Sequence, residues 1–152
     1  MTTTTAVKTT LSVSSPVFQN EGVLPKKYTC DGEGINPPIR IGDLPEGTRS
    51  LVLIVEDPDA PGKIFDHWII WNIPVLELIE EDTRPGIIGK NSKGENRYTG
   101  PCPPNGIHRY FFKVYALDEL LTIGNTSTKS DVVTTMQNHI LGYGELVGVY
   151  KR

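Results

Sequence analysis

The sequence predicts an all-β domain with a minor helical part, most simply two packed antiparallel sheets with one helix near the C-terminal end. Three observations predict it. The stretches Ser50–Glu56, His67–Ile73 and His108–Leu117 are rich in β-branched and aromatic residues, which is strand length and strand composition. Fifteen glycines and twelve prolines are scattered over 152 residues without a period, a pattern of many turns that excludes a collagen-like repeat. Convincing helical spacing of apolar residues occurs once, at Val132, Met136 and Ile140, four residues apart.

Taken in order, residues 1–10 are Thr-rich and apolar-poor. They read as a flexible tail before a single domain over 11–152. Leu11–Phe18 alternates weakly and contains Pro16, which suits an edge strand or a bulge. Gln19–Asn36 is turn-rich. Pro37-Pro38 cannot donate backbone hydrogen bonds and forces extended chain. Asp43–Gly47 reads as a tight turn. Ser50–Glu56 is a continuous apolar run, as in a strand buried on both faces. It stops at Asp57-Pro58-Asp59-Ala60-Pro61-Gly62.

His67–Ile73 is a second central strand, closed by Pro74, and Glu77–Asp82 reads as a solvated acidic stretch. Pro85–Pro104 is irregular and long, and such loops are usually functional or mobile. In His108–Leu117, period two puts His108, Tyr110, Phe112 and Val114 on one face and Arg109, Phe111, Lys113 and Tyr115 on the other. Ser130 is the expected cap of the helix, with Asp131 near its positive end and Gly142 as its stop. Glu145–Tyr150 fits a last strand or a helical continuation.

Composition excludes several functions. A net charge of -3 provides no basic field for a nucleic-acid backbone. No apolar run approaches the ~20 residues needed to span a bilayer, and no leader is visible, so a cytoplasmic setting is expected. Cys30 and Cys102 lie far apart with no C-x-x-C pair, which argues against structural zinc. In a reducing cytosol two free thiols are expected, and a disulfide would need their Cα atoms within about 7 Å. No cofactor-binding motif, G-x-S-x-G elbow, phosphate loop or H-E-x-x-H is present. The enzyme alternative is a hydrolase, using a Cys102–His108 thiol–imidazole pair or a metal held by His67, His108 and Asp57.

The polar residues at strand ends carry the functional reading. Asp57 and Asp59 sit where a buried strand leaves its sheet, His67 opens the next, and His108 and Tyr110 share a face of the third. If these strands are neighbours, their ends converge at one rim, beside the Gly100-Pro101-Cys102-Pro103-Pro104 loop. Imidazoles, a phenol and backbone amides suit a phosphate or carboxylate. The aspartates would orient the histidines and hold them protonated. A proline-stiffened loop loses little entropy on binding. The plainer readings are turn caps for both aspartates, a structural Arg109–Glu56 pair, core positions for Trp68 and Trp71, and no functional role for His139.

In order and spacing, Asp57-Pro58-Asp59-Ala60-Pro61, His67-Trp68, Gly100-Pro101-Cys102-Pro103-Pro104 and Gly106-Ile107-His108-Arg109-Tyr110 resemble the phosphatidylethanolamine-binding protein family. This family includes the Raf kinase inhibitor proteins, and the match is to its compact bacterial and archaeal branch. Tyr28–Gly32, Gly89–Gly94 and Tyr115–Asp118 support the resemblance, which runs from about Leu11 to Arg152. It implies a β-sandwich with a large antiparallel sheet on a smaller one. It also implies an anion pocket that takes phosphate, phosphorylethanolamine or a carboxylate, lined by Asp57, Asp59, His67, Gly100, Pro101, His108 and Tyr110. Relatives are mostly binders that regulate a kinase or protease rather than catalysts. A homodimer through a sheet face or edge is a further expectation. The sequence departs from the branch at Asn36, where Ser is frequent, at Ile41, near which Trp is frequent, and at Gly142–Glu145, where a better helix former is usual. The long C-terminal helix of animal members is absent, which favours a more open site.

Overall fold

The computed structural model describes residues 8–152. Ten strands and one helix follow in the order β1 (Thr9–Thr10), β2 (Ser12–Ser14), β3 (Gly22–Val23), β4 (Ile39–Gly42), β5 (Ser50–Asp57), β6 (Phe65–Ile73), β7 (Leu78–Ile79), β8 (Ile87–Ile88), β9 (His108–Leu117), α1 (Lys129–Met136) and β10 (Ile140–Tyr150). Seven strands form one sheet in the order β1-β10-β9-β5-β6-β8, with β3 also paired to β10; β2-β4-β7 form a second. The β10-β9-β5-β6-β8 stretch is antiparallel, whereas β1 and β3 pair parallel to β10.

The large sheet has a core on each face. Leu51, Leu53 and Val55 on β5, with Trp68, Phe112 and Leu146, face the small sheet and the N-terminal segments. Val52 and Ile54, with Ile69 and Trp71, face α1 and the loop before it. Every residue of β5 is buried, as its unbroken apolar run requires. Each large side chain so buried contributes about 1.5–3 kcal/mol. β9 alternates between buried and more exposed positions along its first eight residues, so the expected parity of its faces holds.

Three local expectations are corrected. The helix is capped by Thr128, two residues before Ser130, and starts at Lys129, because the Asp131 carboxylate reaches back to accept from the Thr128 N–H at 3.0 Å. It does not run to Ile140. Asn138 adopts φ +70, a left-handed conformation that ends a helix, and Ile140 opens β10. Gly142 and Gly144 are therefore strand residues, and Glu145–Tyr150 is strand. A Cβ at Gly144 would collide with the Leu11 carbonyl oxygen. These glycines mark a close approach of backbones rather than a helix stop.

Thr9 and Thr10, expected in the tail, pair with Gly142 and Tyr143; residues 1–7 of that expected tail lie outside the described residues. The Glu77–Asp82 stretch is only partly solvated, since Ile79 is buried in β7. No helix among the described residues is long and apolar enough to cross a membrane.

Candidate functional site

Antiparallel pairing brings the polar ends together. β5 lies between β6 and β9 and runs against both. Its last residue, Asp57, therefore sits beside the first residues of its two neighbours: Phe65 and His67 on β6, His108 and Tyr110 on β9. These side chains line a cavity of about 480 Å³. Its remaining wall comes from a loop around Cys30–Gly34, a loop running from Lys93 to Pro104, and Ala60 and Pro61 of the β5–β6 loop.

The imidazoles are fixed by their neighbours. His108 Nδ1 lies 2.7 Å from Asp57 Oδ2, and His67 Nδ1 lies 2.7 Å from the Thr99 carbonyl oxygen. A carbonyl or carboxylate only accepts, so each Nδ1 carries the hydrogen and donates. Each Nε2 is left without a partner among the described residues, in a ring that lines the cavity. Asp57 is further committed through Oδ1, which accepts from the Asp59 N–H at 2.8 Å. Tyr110 meets His67 edge-on with ring centres 5.3 Å apart and stacks with His108 at 6.4 Å. Its hydroxyl is fully buried and has no hydrogen-bond partner among the described residues.

The electrostatics differ from expectation at His67. Burial, the largest influence, pushes its pKa below the ordinary value, outweighing the Thr99 carbonyl and the Asp57 charge, which act the other way. The pull of the nearby aspartates thus does not outweigh burial at this ring. Burial, and then the charge of Asp57, push the Tyr110 hydroxyl upward, so it stays a hydrogen-bond donor.

Asp57, His67, Gly100, His108 and Tyr110 line the hollow, but Asp59 and Pro101 do not. Asp59 turns outward, where its two oxygens accept from the Arg109 side chain at 2.9 and 2.8 Å and from the Arg109 N–H at 2.9 Å. The guanidinium holds its carboxyl down at about 2. Arg109 therefore does not pair with Glu56, which takes Lys113 and Lys129 instead. Pro101 is buried, and its carbonyl accepts from the Cys30 N–H at 3.0 Å. Gly100 sits where a Cβ would stand 2.9 Å from the Thr29 carbonyl carbon, so a side chain there would force the two loops apart. Trp68 and Trp71 are core residues, 1% and 0% exposed. His139 contacts Asp118 at 2.9 Å, away from the hollow; with Glu119 these form the one three-residue group of possible metal ligands among the described residues.

The largest correction concerns the cysteines. Cys30 and Cys102 are joined in a disulfide with Cα atoms 5.4 Å apart, inside the range that permits a bridge. The bridge staples two loops of the cavity wall, and it removes the thiol that a Cys102–His108 pair would need. Phe65, Lys93 and Arg97 also line the cavity without having been expected there. Phe65 was findable, because period two puts it on the face of His67 once the strand is begun two residues earlier.

This arrangement defines a class: a two-sheet β protein with an imidazole- and tyrosine-lined hollow at one rim of its large sheet. The phosphatidylethanolamine-binding protein family model matches residues 14–151, and the chain belongs to that family. It is 41% identical over 150 residues to a UPF0098 protein of Methanothermobacter thermautotrophicus, covering 93% of this chain and 99% of that one. It is 47% identical over 156 residues to a UPF0098 protein of Pyrococcus horikoshii, covering 95% and 78%. The crystal structure of a phosphatidylethanolamine-binding protein homolog from Chlamydia trachomatis superposes with a TM-score of 0.91 at 38% identity, over 95% of this chain and 99% of that one. E. coli YbcL, described as a member of the mammalian family, gives 0.86 at 28% identity, over 93% and 98%.

Proposed function

We propose that the hollow binds a small oxyanion, a phosphate, phosphorylated headgroup or carboxylate, and takes up a proton with it. The observation that carries this reading is the pair of imidazoles whose Nδ1 atoms are committed to Thr99 and Asp57. A neutral ring of this tautomer offers only a lone pair at Nε2. An anionic oxygen docks there when a proton sits on that nitrogen or arrives on the ligand. A bound anion then compensates an imidazolium that burial alone disfavours at His67. Affinity for phosphate is therefore expected to rise as pH falls through the imidazole range. Membership of a family named for a phospholipid supports the ligand class.

The test is an NMR titration of inorganic phosphate that follows the ring nitrogens of His67 and His108. Saturable shifts of both are expected, and they should vanish in His108→Ala. Absence of any shift at millimolar phosphate would sink the reading.

Binding rather than catalysis is the role we assign. The Cys102 sulfur is in a disulfide, and the Asp57 carboxylate is occupied by His108 and the Asp59 amide. Neither stands ready as nucleophile or third metal ligand. Regulation of a partner kinase or protease belongs to the same proposal. The supporting observation is a pair of exposed apolar side chains, Ile64 and Ile107, on loops that border the hollow. Ile64→Asp with Ile107→Asp should weaken such inhibition while sparing phosphate binding, and His108→Ala should do the reverse.

A further inference from the structure

Lys93 and Arg97 line the same cavity as the two histidines. We infer that they select the ligand: the hollow takes a small organic phosphomonoester carrying a second acidic group, with the phosphate at the histidines and the second group at Lys93 and Arg97. This rests on the oxyanion reading and narrows it.

Size is the first support. A volume of about 480 Å³ falls within the range of sites for organic ligands, roughly 300–1,000 Å³. A bare inorganic ion would leave most of it empty.

The second support is the way the two cations are held. They stand on a loop organised by one buried side chain, Asn91. Its Oδ1 accepts from the Lys93 and Glu95 N–H groups at 2.9 and 3.0 Å, and its Nδ2 donates to the Arg97 carbonyl at 2.9 Å. The same loop is stitched to the start of β6: Ser92 N–H donates to the Asp66 carbonyl, and Thr99 N–H to that of His67. The backbone that carries the two cations is thus set before a ligand arrives, which lowers the ordering cost of using them.

The third support is charge balance. Arg97 pairs with Glu95 at 3.1 Å, but both are well exposed, and such pairs contribute little and exchange partners readily. The acidic groups of the lining are Asp57, committed to His108, and Glu33. The field of Glu33 acts on Lys27 and Tyr28, whereas that of Lys93 acts on His67. Asp66, outside the lining, also acts on His67 and does so more strongly than Lys93, but it is paired with Lys129 at 2.8 Å. With these carboxylates engaged, Lys93 and Arg97 are the cations that the lining offers to a ligand. They favour an acidic substituent and repel an ammonium group such as that of phosphorylethanolamine.

The experiment compares phosphoglycolate, phosphorylethanolamine and inorganic phosphate by calorimetric titration of the full chain, in the native protein and in Lys93→Gln with Arg97→Gln. Both positions are exposed, and the backbone bonds of Asn91 survive these changes. Phosphoglycolate is expected to bind at least about fivefold tighter than phosphorylethanolamine, the factor of one surface charge contact. The preference should collapse in the double variant and shrink at high salt. Equal or reversed affinities, with both compounds still shifting the histidine resonances, would overturn the inference and leave the oxyanion reading standing. A preference that persists in the double variant would overturn the role of Lys93 and Arg97. If no compound shifts either histidine, both readings fall.

Discussion

Of the two walls that enclose the hollow, one is the end of a buried ladder and the other is made of loops, and they are held by different forces. The ladder wall of β5, β6 and β9 presents Asp57, His67, His108 and Tyr110 from strands whose neighbours are almost all apolar and buried. Its geometry follows from hydrophobic burial and strand pairing, which extend across the domain. The loop wall has no ladder. It depends on a disulfide, on Asn91, and on single bonds such as Tyr98 Oη to the Tyr28 carbonyl at 2.8 Å. Imidazole geometry is therefore tied to global stability, whereas the shape of the mouth can change on its own.

The difference can be broken at several points. Phe112→Ala empties a fully buried site and should cost about 3–5 kcal/mol. Urea unfolding should show a single transition at lower denaturant, with both walls lost together. Replacing Cys30 and Cys102 by Ser should cost about 2–4 kcal/mol, since the bridge closes a long stretch of chain. Amide exchange should accelerate first in residues 29–34 and 98–104, with β5 and β9 still protected. Asn91→Ala removes three hydrogen bonds at a buried position and should cost about 1–3 kcal/mol. Exchange should quicken between Lys93 and Arg97 alone.

The ladder wall should also respond to pH through His67. Its pKa is depressed in the fold, so below the ordinary imidazole value the unfolded chain binds the extra proton first. Stability is then fully present above that value and falls as pH drops toward the folded pKa, by at most about 1.4 kcal/mol per pH unit for one proton. Urea midpoints measured across this range should show the slope, and His67→Gln should flatten it. The smallest effect is expected at Asp59→Asn. It breaks the surface bond to Arg109 but should leave phosphate-induced shifts of His67 and His108 unchanged.

The two walls were also unequally legible in the sequence. The three central strands carry their burial in composition and parity, so the convergence of Asp57, His67, His108 and Tyr110 could be read from strand ends alone. The loops have no period. Nothing in the chain between Cys30 and Cys102 says that their Cα atoms meet at 5.4 Å, because that depends on how two irregular segments cross. Asp59 was misassigned to the pocket for a related reason: an aspartate two residues past a strand end can turn either way, and Arg109 decided it. The C-terminal segment misled through its glycines, which read as helix breakers until the crossing of Leu11 over Gly144 is seen.

The most direct test of the central claim, that the two imidazole Nε2 atoms hold an oxyanion, is a crystal structure of the protein grown with phosphate at mildly acidic pH. The expected result is a phosphate in the hollow with oxygens about 2.7–3.0 Å from Nε2 of both His67 and His108. Phosphate bound elsewhere, with the hollow holding solvent alone, would contradict it.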